Sequence, residues 1–294
     1  MTQPPTIVAA IDFSAPARHA AERAARIAQE HAGTLTLLHV LPGPLMAQLR
    51  RWLGADSVPA AQLLDDARAR LQACAERLPQ VQAGLLIQEG SALDETLDVA
   101  ERQDAQLIVV GARGEGFMRR AVLGSTAERL VRSSSRPVLV VRQMPREPYR
   151  RVLVALDLSA GSDAALRIAR WVAPQARLLL TTVFQVPLEG RLRLAGVEDA
   201  TIARYREQAR ADARHGLLAL AARAGLPEGS WEISVVEGDA SFGLIELEQE
   251  QDCDLVVVGK HGRSAAADML LGSVTQHLLA EGTADVLVST PNDG

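Results

Sequence analysis

Apolar and polar positions along the chain alternate between short apolar runs and longer segments with a helical period. Thr6 to Ala28 (TIVAAIDFSAPARHAAERAARIA) opens on an apolar run that ends at Asp12, passes Ser14 and continues as an Ala-rich helical pattern. Arg151 to Ala173 (RVLVALDLSAGSDAALRIARWVA) repeats that plan, with Asp157 and Ser159 at the matching places. Ser14 and Ser159 are both expected to start helices, because a serine oxygen there accepts an otherwise orphaned N–H. Second β-rich runs follow at Thr34 to Val40 and Arg177 to Val183. After a connection with Pro and Gly, helical segments are predicted over Ala60 to Leu78 and Val197 to Ala224.

Third strands are predicted at Val81 to Gln88 and Trp231 to Val236, closing on Glu89-Gly90-Ser91-Ala92 and Glu237-Gly238-Asp239-Ala240. Gly90 to Gly111 and Gly238 to Gly259 are both 21 positions, an interval that a duplicated unit preserves. Fourth runs end on those glycines, and fifth runs lie at Pro137 to Val141 and Asp285 to Ser289. QMPREPY, Gln143 to Tyr149, breaks every period and reads as the linker, which sets the halves at 1–145 and 146–294. Strands alternating with amphipathic helices predict an α/β fold, in each half a five-stranded parallel sheet with helices on both faces. In such sheets ligands sit beyond the carboxyl ends of the strands, where strand order reverses. Asp12 and Asp157, Val40 and Val183, and the segments after Gly111 and Gly259 all come to that crevice.

The segments after the fourth strands carry the chemistry. LIVVGARGEGFMRRAVLGS (Leu107 to Ser125) and LVVVGKHGRSAAADMLLGS (Leu255 to Ser273) share the spacing G-x2-G-x9-G-S. The glycines are Gly111, Gly114 and Gly124 in one copy, Gly259, Gly262 and Gly272 in the other, each followed at the end by Ser125 or Ser273. A strand that runs into a turn and restarts as a helix headed by Gly-Ser gathers unpaired backbone N–H groups, which suits an anion. Local charge agrees: Arg113, Arg119 and Arg120 oppose Glu115, and Lys260 and Arg263 oppose Asp268, on a chain of net charge −5.

The 294 residues, 48% hydrophobic and 23% charged, suffice for two domains with cores of their own. No apolar run reaches the roughly 18 residues of a membrane span, and MTQPPTIVAAID lacks the basic head of a signal peptide, so a cytoplasmic protein is expected. The acidic balance and 3% aromatic content count against a nucleic-acid surface. Cys74 and Cys253 lie in different halves and the six histidines form no HExxH or HxxxH pair, so no metal site is expected. Neither copy has the Gly-Lys-Ser/Thr of a Walker loop, and no carboxylate is placed to orient water, so fast ATP hydrolysis is not expected.

The duplicated motif with an aspartate closing the first strand resembles the universal stress protein family in its ATP-binding branch, in the tandem form. The likeness covers nearly the whole chain. It implies two Rossmann-like domains (adenine nucleotide α-hydrolase-like) of strand order 3-2-1-4-5, arranged as an intramolecular pseudo-dimer in which Val138 to Val141 pairs with Val286 to Ser289. A homodimer of chains stays open. Carried over, Asp12 and Asp157 contact the nucleoside, and the backbones of Val40 and Val183 read adenine. Gly111, Gly114, Gly124, Ser125 and Thr126, with Gly259, Gly262, Gly272, Ser273 and Val274, cradle ribose and phosphates. The implied ligand is ATP, with or without Mg²⁺, and the implied partner an unidentified regulatory protein. Gly116 and Phe117 in the first loop, and Thr283-Ala284-Asp285 where the first half has Ser135-Arg136-Pro137, depart between copies without touching the motif. Pro42 to Pro59 differs in length and composition from Gln185 to Gly196, so access to the two sites is expected to differ.

Three readings stay open: a nucleotide-dependent switch or sensor in stress response, a slow ATPase or nucleotidyl transferase, and a non-binding scaffold of the same fold. His39, opposite Thr182 in the other half, reads as a packed residue rather than a catalyst. His261 lies within reach of a phosphate but reads first as a solvated side chain.

Overall fold

The computed structural model describes residues 4–53, 58–78, 81–114, 123–185, 189–261 and 271–291. The first half runs β1 (Thr6–Ala10), α1 (Ala15–Glu30), β2 (Thr34–Pro42), α2 (Gly43–Leu53), α3 (Val58–Ala75), β3 (Ala83–Gly90), α4 (Ala92–Arg102), β4 (Leu107–Gly111), α5 (Ser125–Ser133) and β5 (Val138–Val141). The second half runs β6 (Arg151–Ala155), α6 (Gly161–Val172), β7 (Arg177–Phe184), α7 (Glu189–Leu194), α8 (Asp199–Arg223), β8 (Trp231–Glu237), α9 (Ala240–Glu250), β9 (Leu255–Gly259), α10 (Ser273–Glu281) and β10 (Asp285–Ser289). Each repeat is therefore the alternating α/β unit that the periodicity predicts.

In the first repeat the strand order is β3-β2-β1-β4-β5. β1 pairs in parallel with β2 (Thr6↔Thr34) on one side and with β4 (Ile7↔Leu107) on the other, so the order reverses beside β1 and opens a crevice past Ala10 and Gly111. Ile7, Val8 and Ala9 are fully buried, as are Leu107, Ile108 and Val109, which is why these runs are continuously apolar rather than alternating. α1 buries Ala17, Ala20, Ala21, Ala24, Ala25 and Ala28, a stripe at helical spacing. Small side chains there let the helix lie close on β4 and β1.

The second repeat follows the same plan: β6 pairs in parallel with β7 (Arg151↔Arg177) and β9 (Val152↔Leu255), and β7 with β8. The Lys260 N–H donates to Ser289 O at 3.0 Å, as the Ala112 N–H donates to Val141 O at 2.8 Å, so the fifth strand holds the same place. By compactness, one unit comprises Met1–Pro148 with Asp285–Val288 and the other Tyr149–Ala284 with Ser289–Asn292. Within the first unit β10 lies antiparallel on β5, with Val286↔Val140, Leu287↔Leu139 and Val288↔Val138. Asp285, fully buried, accepts the Arg142 and Gln143 N–H groups at 2.7 and 3.0 Å, and its other oxygen lies 3.7 Å from Arg23 Nε.

Several expectations need adjusting. The connection after β2 contains α2, whose second residue, Pro44, suits a helix start because no N–H is needed there; the shorter one after β7 contains α7. β3 begins at Ala83 and extends to Gly90, because Glu89 and Gly90 find Leu41 and Pro42 on β2 to pair with. Ser14 does open α1, accepting the Ala17 N–H at 3.2 Å. Ser159 does not open α6, which starts at Gly161 with no side-chain cap. Its hydroxyl donates instead to Asp157 Oδ1 at 2.6 Å.

Candidate functional site

In the first unit the motif residues line one cavity of about 310 Å³ at the carboxyl ends of β1, β2 and β4. Asp12 stands two residues beyond β1, and its Oδ1 accepts the Ser14 N–H at 3.0 Å. Phe13 between them takes φ = 66°, a left-handed conformation costly for a bulky residue and frequent at ligand sites. The Ser14 hydroxyl also donates to Arg113 O at 3.4 Å, which ties the end of β1 to the segment after β4. Gly114 backs onto the aspartate so closely that a Cβ there would stand 2.6 Å from Asp12 Oδ2. Gly111 is glycine for another reason, since a Cβ on it would meet Pro16 C, Ala17 N and Pro16 O at 2.7, 2.8 and 2.9 Å. Its missing side chain lets the first turn of α1 approach the strand.

Gly124 heads α5 without any side-chain cap, its own N–H donating to Ala112 O at 2.8 Å. Gly124, Ser125 and Thr126 all line the cavity, so the head of a helix, with its partial positive charge, borders it. Val40 lines it from β2, half-buried, next to His39. His39 is packed, as expected, with Nδ1 at 2.7 Å from Ile11 O and its ring 4.3 Å from that of Phe13. It nevertheless lines the cavity too, and Arg70 of α3 covers the Phe13 ring at 4.1 Å.

The second unit repeats the arrangement around a cavity of about 220 Å³. Asp157, Val183, Gly259, Gly272, Ser273 and Val274 line it; Gly262 lies outside the described residues, as do Arg119, Arg120, Arg263, Glu115, Gly116, Phe117 and Asp268. Asp157 Oδ1 is saturated by the Ser159 N–H at 3.0 Å and by the hydroxyls of Ser159 and Ser162 at 2.6 and 3.1 Å. Asp157 Oδ2 is buried and has no hydrogen-bond partner among the described residues. A buried acceptor left without a donor is costly, so this oxygen is ready to receive one from a ligand. Leu158, like Phe13, takes a left-handed φ of 60°. Thr275 Oγ1 donates to Gly259 O at 2.8 Å and holds the head of α10 against the end of β9.

One contributor escaped notice in the sequence, and two were given less weight than the structure gives them. Ser162 sits inside a helical period, where nothing marks a hydroxyl that reaches back five residues. Lys260 was visible only as part of a local charge excess, yet it is 8% exposed and lines the second cavity. His261, read as solvated, lines the same cavity with a buried Nδ1 that has no partner among the described residues. Among the described residues no group of three His, Cys, Asp or Glu could hold a metal ion, and no helix is long and apolar enough to cross a membrane.

The model of the universal stress protein family matches the chain twice, over residues 5–142 and 148–290. A universal stress protein of Mycolicibacterium smegmatis is 29% identical over 296 residues, which cover 97% of this chain and 97% of that protein. One from Mycobacterium tuberculosis is 33% identical over 202 residues, 66% of this chain and 61% of the relative. Among solved structures, a universal stress protein from Archaeoglobus fulgidus matches with a TM-score of 0.67 at 17% identity, covering 99% of this chain and 100% of that one, a likeness of fold.

Proposed function

The chain belongs to the universal stress protein family, and from that premise we propose that it binds an adenine nucleotide, ATP, in each half and acts as a nucleotide-dependent switch in stress response. The observation that carries this reading is the orphaned Asp157 Oδ2, buried in the cavity that the Gly272-Ser273 helix head also borders. It supplies an acceptor for the nucleoside at one end and backbone amides for phosphate at the other. Asp12 and the Gly124-Ser125 helix head repeat the pairing in the first unit.

In this reading Asp12 and Asp157 accept hydrogen bonds from the nucleoside, and the backbones of Val40 and Val183 meet the base. Gly114, Gly124, Ser125 and Thr126, with Gly262, Gly272, Ser273 and Val274, hold ribose and phosphates. Gly111 and Gly259 belong to the same cradle at the strand ends, and Gly111 also admits the first turn of α1. Any Mg²⁺ is carried chiefly by the phosphates. Each cavity is lined by one carboxylate among the described residues; in this reading turnover is slow at most, and nucleotide occupancy alters contacts with a regulatory protein in the cytoplasm. The domains 1–145 and 146–294 each carry one site.

Calorimetry of the full chain with Mg-ATP tests this. Binding of about two nucleotides per chain is expected, and Asp157→Ala should remove one of them. An absence of heat and of any thermal shift at millimolar ATP would leave the scaffold reading in its place.

A further inference from the structure

We propose that Lys260 sets the charge selectivity of the second cavity, so that the two halves take the same nucleotide with different preferences for the number of its phosphates. The inference rests on the nucleotide reading above and goes beyond it by making the two sites inequivalent.

At this position the two halves differ in side chain alone. Aligned on Gly111 and Gly259, Lys260 stands where the first half has Ala112, and His261 where it has Arg113. The main chain is held identically in both. Ala112 donates to Val141 O and accepts from the Gly124 N–H, each at 2.8 Å; Lys260 donates to Ser289 O at 3.0 Å and accepts from the Gly272 N–H at 3.1 Å. Both residues are buried, at 6% and 8% exposure. With the backbone fixed by the same two bonds, the halves differ by what leaves it: a methyl in one, a four-carbon stem with an ammonium in the other.

That difference falls on the cavity itself. Lys260 lines the second cavity together with Asp157 and the Gly272-Ser273 helix head, whereas Ala112 contributes nothing to the lining of the first. Among the described residues the first cavity draws its positive side chain from Arg113, which is only half-buried. A guanidinium in contact with water is screened by solvent and salt. An ammonium withdrawn from water interacts with each added phosphate charge more strongly, because the surrounding effective dielectric is lower. The ratio of ATP to AMP affinity should therefore be steeper at the second site. The absence of a Walker lysine from the motif does not mean the absence of lysine from the site; this one arrives by a different position.

The test uses the full chain carrying Gly114→Val, which fills the first cavity against Asp12 Oδ2, so that titration calorimetry with ATP, AMP and adenosine reports the second site alone. Lys260→Met, added to it, is expected to lower the ATP/AMP affinity ratio by about tenfold or more while adenosine binding changes little, and Lys260→Arg to retain most of the ratio. Lys260→Gln repeats the measurement should the methionine variant be unstable. In the otherwise unaltered protein the two sites should show unequal ATP/AMP ratios. Equal ratios at the two sites, or a ratio indifferent to Lys260→Met or Lys260→Gln, overturn the inference and leave nucleotide binding intact. Failure of adenosine, AMP and ATP alike to bind anywhere overturns the nucleotide reading and this inference together.

Discussion

Replacing Gly111 by alanine, and its twin Gly259 likewise, should have sharply unequal effects on a pair the sequence presents as equivalent. At Gly111 the new Cβ would stand 2.7 to 2.9 Å from three backbone atoms of Pro16 and Ala17, about 0.7 Å inside the 3.4 Å at which ordinary contact begins. Backbone cannot swing aside as a side chain can. The first turn of α1 is also held in place, by Ser14 Oγ accepting the Ala17 N–H and donating to Arg113 O. Overpacking of this kind costs about 1–3 kcal/mol, and the clash with main chain argues for the upper half. Alanine restricts the unfolded chain more than glycine and returns roughly 0.4–1 kcal/mol. A net loss of about 2 kcal/mol remains, or a midpoint lowered by roughly 4–8 °C for a domain of this size.

Among the described residues the same Cβ at Gly259 would meet a single atom, His261 O, at 3.2 Å, which a shift of a few tenths of an ångström relieves. The unfolded-chain term then offsets most of the cost, and the net change should stay within about 0.5 kcal/mol. Thermal and urea melts of the two full-length variants, followed by circular dichroism, decide the matter. Equal shifts, or a loss at Gly111→Ala below about 0.5 kcal/mol, would show that α1 does not pack on the strand as tightly as described, and the division of labour between Gly111 and Gly114 would fall with it.

The two serines offer a second contrast. Ser14→Ala should cost about 1 kcal/mol and speed amide exchange in the first turn of α1, while Ser159→Ala should leave exchange at the start of α6 unchanged; equal exchange effects would refute the reassignment of Ser159. Burial pushes the Cys253 thiol up to about 12 from an ordinary 9.0. The folded chain holds this proton after the unfolded chain has lost it, so stability should fall as pH rises from 9.0 towards about 12, by at most about 1.4 kcal/mol per unit. Urea midpoints measured from pH 9 upward should fall more steeply for the unaltered chain than for Cys253→Ala, and parallel slopes would count against it. Asp285→Asn removes the charge that faces Arg23 and weakens acceptance from two amides; a loss of about 3 kcal/mol in the stability of the first unit, read from urea melts, is expected, and a neutral effect would show that this buried pair contributes little.

The sequence by itself determined the repeat, the alternation of strands and helices, and the positions that meet at the two cavities. Those features are local or periodic: an apolar run such as Ile7 to Ala9 marks a central strand, and glycines at fixed spacing from it mark where the chain must turn. Every candidate binding position within the described residues lines its cavity, because residues at the carboxyl ends of neighbouring parallel strands cannot avoid one another. Tertiary structure alone decided matters that depend on partners far along the chain. The two strand-end serines look alike in sequence, yet Ser14 caps a helix and Ser159 serves a carboxylate, because α6 begins later than α1 relative to its aspartate. Gly111 and Gly259 read alike, but only one has a helix pressed against it. Lys260 counts as one charge among several until its backbone is fixed between Ser289 and Gly272 and its side chain is withdrawn from water. Periodicity is carried by neighbours in the chain. Burial and hydrogen-bond partners are assigned only when distant residues meet, as Ser14 meets Arg113 across 99 positions and Arg142 meets Asp285 across 143.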